Sequence, residues 1–75
     1  MNRAVRNGRR CGTAILQRVT PTLRAADHVA ADFERDQRKL YLTQAIQREH
    51  DGVDEAVARD CAEVFIVASE AGWNP

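Results

Sequence analysis

The first 26 residues contain no acidic side chain, and the 75-residue chain is poor in every residue type that fixes a specialised chemistry. It has one tryptophan, one tyrosine and two phenylalanines, and none of them lies among the N-terminal arginines. Stacking on nucleic-acid bases is therefore not indicated for that segment. The two cysteines, Cys11 and Cys61, are too few and too far apart to resemble the dense framework of a small secreted scaffold. Staples are expected to be absent, although geometry alone decides whether two cysteines can meet. No apolar run exceeds Val64–Ala68, far short of the roughly 20 residues that span a bilayer. No apolar segment or small-residue cleavage site follows the early arginines, so no secretory leader is read. The expectation is a soluble, cytoplasmic protein with no membrane partner.

Catalytic and metal motifs are equally scarce. Gly8 and Gly12 do not form the glycine-lysine pattern of a phosphate loop. Glu49, His50, Asp51 and Asp54 cluster near one turn, but their spacing matches neither zinc patterns nor the calcium loop. His28, beside Asp27 and four residues from Asp32, reads as part of a solvated ionic face. His50 reads as a cation favoured at a helix C-terminus. Cys61 falls on an apolar stripe and reads as a small core residue. Cys11 sits between Arg10 and Gly12, where arginine favours a thiolate, but no base or resolving cysteine accompanies it. The chain is therefore expected to be no enzyme, with no cofactor, metal or small-molecule substrate.

What is present is a division of charge. Residues 1–26 hold Arg3, Arg6, Arg9, Arg10, Arg18 and Arg24, whereas residues 27–75 hold all eleven acids against five bases. The zero net charge thus hides a basic segment attached to an acidic body. Residues 1–12 are expected to form a flexible basic arm, and residues 13–75 a single small domain. Arg3, Arg6, Arg9, Arg10 and Arg18 are the candidates for gripping an anionic partner, because a guanidinium binds phosphate or carboxylate in two-pronged fashion.

The punctuation predicts an all-α fold. Thr20-Pro21 has the form of a helix cap followed by proline at the first turn. No glycine or proline then occurs before Asp51-Gly52, which suits a helix stop. Asp54 and Glu55 favour the start of a further helix, and Gly72 supplies its end. An antiparallel hairpin of helices over 21–50 and 54–71 follows. Leu23, Ala26, Val29, Ala30, Phe33, Leu40 and Tyr41 share one sector of the first helix, and Val53, Val57, Cys61, Val64, Phe65 and Ala68 share one of the second. Thr13–Val19 is a short apolar run that fits a helix or a strand.

Leu42 and Ile46 face away from the first stripe, and Ile66 and Val67 flank the second. A two-helix hairpin has no internal use for them, so they are read as partner-binding positions. The first helix would also outrun the second, leaving Leu23, Ala26, Val29 and Ala30 to be covered either by the segment Thr13–Val19 or by another subunit. A homodimer resting on a four-helix core is the economical solution.

The functional expectation is a small protein-interaction module of adaptor or inhibitor type. Size alone suggests analogy with phage or mobile-element modulators that bind a host protein. The alternative is a nucleic-acid-binding helical-hairpin dimer that uses the arginine arm. Its second helix would not read DNA, because Asp54, Glu55, Asp60 and Glu63 would be repelled by phosphate.

Overall fold

A computed structural model describes residues 12–72, and among these the chain forms three α-helices and no strand. They are α1 (Thr13–Ala30), α2 (Arg35–Glu49) and α3 (Glu55–Glu70). The residues expected to form a flexible arm lie, apart from Gly12, outside the described residues.

The all-α expectation holds, but the single helix over 21–50 is corrected to two. The chain leaves the helix after Ala30, and Glu34 adopts an extended backbone (φ −55°, ψ 147°) before α2 begins. No glycine or proline marks the joint. Asp32 to Lys39 contains one apolar residue, Phe33, so no burial rewards continuing the rod. Folding back instead buries Val19 and Leu23 in one cluster with residues of the remaining helices. These two side chains alone contribute roughly 3–6 kcal/mol. Breaking a few backbone bonds that water can replace costs about 1 kcal/mol each. Burial wins.

The start of α1 also differs from expectation. Thr13–Val19 is helical and runs without a stop through Thr20-Pro21, so Pro21 lies inside the helix. Proline deprives Gln17 of its usual N–H partner, but both residues are exposed and water can reach that carbonyl. The Thr20 hydroxyl donates backward to the Leu16 carbonyl at 2.6 Å rather than capping a helix start. By contrast, α3 matches its predicted span to within a residue at each end. Gly52 (φ +83°) and Gly72 (φ +95°) take the left-handed conformations expected at the two helix ends.

One core joins all three helices. It contains Val19 and Leu23 from α1, Leu42 and Ile46 from α2, and Val57, Ala58, Cys61, Ala62, Phe65 and Ile66 from α3, closed by Val53. Ile15, Leu16 and Ala26 pack against its edge. Here the partner-binding reading of three residues is corrected. Leu42, Ile46 and Ile66 are fully or almost fully buried within the chain's own core. They seemed surplus because a hairpin has two helices to satisfy and this fold has three. Val29 and Leu40, placed on the buried stripe, are instead more than half exposed. Cys61 is buried as expected, but it is also disulfide-bonded, so the protein is not without a covalent staple.

Candidate functional surface

The polar groups first tie the helices together. α2 begins with three cations, Arg35, Arg38 and Lys39, close to the positive end of its own dipole, an unfavourable placement. Each is paired with an acid from another helix. Arg35 donates through Nε and Nη2 to Glu70 of α3, both at 3.1 Å, and Lys39 lies 3.5 Å from Glu63 of α3. Arg38 grips Asp27 of α1 in a two-pronged, largely buried contact. The Arg38 guanidinium is held above its ordinary pKa, chiefly by the hydrogen bond to Asp27; burial opposes this, and the charges of Asp27 and Glu70 add to it. Arg59 pairs with Glu55 along α3. The acidic body is therefore partly neutralised by its own bases.

His28 is exposed, as a solvated face requires, while its neighbour Asp27 turns to Arg38. His50, at the end of α2, shares a 2.7 Å hydrogen bond between its Nε2 and Thr22 Oγ1 of α1, with the ring tautomer setting its direction. This tie spans 28 residues of sequence and left no local signal. No group of three or more metal-ligating side chains occurs among the described residues, and no described helix is long and apolar enough to cross a membrane.

Two broad hollows lie on the surface of the described residues. One, about 440 Å³, runs between α1 and α2 and is lined by Pro21, Thr22, Val29, Tyr41 and Arg48 among others. Beside it Phe33 meets Tyr41 edge-on, with ring centres 5.5 Å apart. The other, about 570 Å³, lies along the outer side of α3 between Asp60, Glu63, Val64, Val67, Ala68 and Ala71. Both open broadly to solvent.

Of the sequence-derived partner residues, only Val67 is on the surface, at 47% exposure, and Val64 joins it at 37%. Arg18 is exposed on α1; Arg3, Arg6, Arg9 and Arg10 lie outside the described residues. Val64 was missed as a surface position because its place on the α3 stripe looked internal. In the three-helix packing Val64 instead lies beside Val67 on the outer side of α3. Comparison of the chain with models of known protein families, with curated proteins and with solved structures finds no match.

Proposed function

We propose that the protein is a non-catalytic interaction module that engages another protein through the outer face of α3. The observation behind this reading is the strip formed by Val64 and Val67, exposed and continued by Ala68 and Ala71. These residues remain apolar after α3 has filled the core with its other side. Asp60 and Glu63 flank the strip, so the complementary surface is an apolar patch rimmed by bases. The uncovered residues that first called for a second chain are now largely covered by the chain itself. A homodimer is thus an alternative occupant of the α3 strip rather than a requirement of the core.

A photo-crosslinking side chain at Val67, with Gln37 as an exposed control, tests the reading in cells. A protein captured from position 67, not from 37, and lost in Val64→Asp is the expected result. Equal capture from both positions would remove α3 as the interface. Circular dichroism of Val64→Asp checks that the fold survives.

The charge split of the sequence favours a second reading, nucleic-acid contact through the arginine-rich segment. It predicts binding that weakens steeply with salt and loses slope when Arg6, Arg9 and Arg10 become alanine. Binding unchanged by both manipulations counts against it.

A further inference from the structure

We infer that the partner met by the α3 strip is a second copy of this chain, which receives the strip in its hollow between α1 and α2. The inference rests on the α3 reading above and adds the identity of the partner. Strip and hollow match first in length. Val64 to Ala71 along the strip and Pro21 to Val29 along the α1 wall of the hollow cover about 11 Å and 12 Å of helix. They match next in relief. Ala25 and Ala26 of α1 and Ala45 of α2 line the hollow, and side chains this short let another helix axis approach to about 8 Å. Val64 and Val67, both exposed, supply the larger side chains that such a lining lacks.

They match also in charge. α1 and α2 together carry six basic and three acidic side chains, whereas α3 carries four acidic and one basic. At the contact, Asp60 and Glu63 flank the strip, and Arg48 lines the hollow. Arg48 forms no ion pair among the described residues. Arg18 adds a second exposed cation one helical turn before Thr22, on the same face of α1. Glu49 is the exception, an acid that also lines the hollow. A molecule cannot fill its own hollow, because the strip lies on the outer side of α3 and the hollow between the other two helices. Two different patches therefore meet head to tail, and each added copy leaves one strip and one hollow open.

Light scattering of the full chain from micromolar to millimolar concentration tests this, with two variants. Ala25→Glu puts a bulky acid in the hollow and Val67→Lys a cation in the strip; both positions are exposed, and circular dichroism checks both folds. The wild-type mass should rise with concentration above 8.4 kDa and fall back on dilution or added salt. Each variant alone should stay at monomer mass. Mixed, the two should form a one-to-one complex of twice that mass, since Ala25→Glu keeps its strip and Val67→Lys keeps its hollow. Glu49→Gln should strengthen wild-type association about threefold, and weakening instead would contradict the docking. A wild-type chain that stays monomeric overturns the inference, whereas capture of a different protein from Val67 would leave the α3 reading standing. Association abolished by Val67→Lys and kept by Ala25→Glu would mean strip on strip, and overturns it. So does association that both variants retain, or two monomeric variants that fail to pair when mixed.

Discussion

Arg38 and Asp27 meet through two parallel hydrogen bonds, Nε to Oδ1 at 2.7 Å and Nη2 to Oδ2 at 2.8 Å, across the joint where the chain folds back. Their side chains are 16% and 17% exposed, which sets this pair apart from the half-exposed Arg35–Glu70 pair.

Removing Asp27 leaves a guanidinium partly desolvated, so Asp27→Ala should cost about 2 kcal/mol, between surface and fully buried pairs. Glu70→Ala should cost under roughly 1 kcal/mol. Urea titrations of both variants give the comparison, and equal losses would contradict the burial difference. The raised Arg38 value also has a sign. Its stabilisation is fully present below the unfolded-state pKa and is lost only as pH rises through the folded-state one. That window lies beyond the alkaline end of ordinary titrations, so Arg38 itself contributes no pH dependence across the neutral range.

Leu42→Ala, Ile46→Ala and Ile66→Ala should each destabilise the protein by about 2–5 kcal/mol, the usual range for emptying a packed site. Val67→Ala should stay within about 0.5 kcal/mol. Urea midpoints distinguish the two groups. A small effect at Leu42 would return it to the surface role that its sequence position suggests.

Proline at position 35 separates a broken helix from a continuous one. Arg35 is the first residue of α2, and Glu34 already has the extended ψ that a following proline demands. Arg35→Pro should therefore cost only the exposed ion pair with Glu70, about 1 kcal/mol or less. In an unbroken helix the same change would cost about 3 kcal/mol or more. Circular dichroism melts read the difference.

Gly52→Ala should destabilise by roughly 1–2 kcal/mol, because φ is +83° there and open space around the position removes any steric contribution. Gly52→Asn should recover part of that loss, since asparagine tolerates the left-handed region. Equal melting temperatures for all three proteins would mean that the turn relaxes.

The ends of α3 were legible because Asp51-Gly52 and Gly72 are strong local signals and the structure uses them as such. The break before α2 was not, because its cause is a core formed at long range and no residue at the joint forbids helix. A trace of it was nevertheless present. The apolar stripe of α1, centred on Leu23, and that of α2, centred near Leu42 and Ile46, are offset by about 100–150° on one helical wheel. That phase change marks a turn in the chain and not spare hydrophobicity for a partner. Val67 kept its surface position because neither arrangement buries it. The Thr22–His50 tie and the bonded state of Cys61 depend on which helices become neighbours, which spacing along the chain does not encode.

The residues joining α1 to α2 have one more consequence, for assembly at high concentration. Ala31, Asp32, Phe33 and Glu34 are all capable of helix, so α1 and α2 can straighten into one rod of roughly 55 Å. The contacts surrendered on straightening can be restored by the same helix from a second molecule, the condition for domain exchange. Concentrated samples should then contain a dimer of unchanged helical content that reverts slowly on dilution. Glu34→Pro, which stiffens the joint, should change its yield.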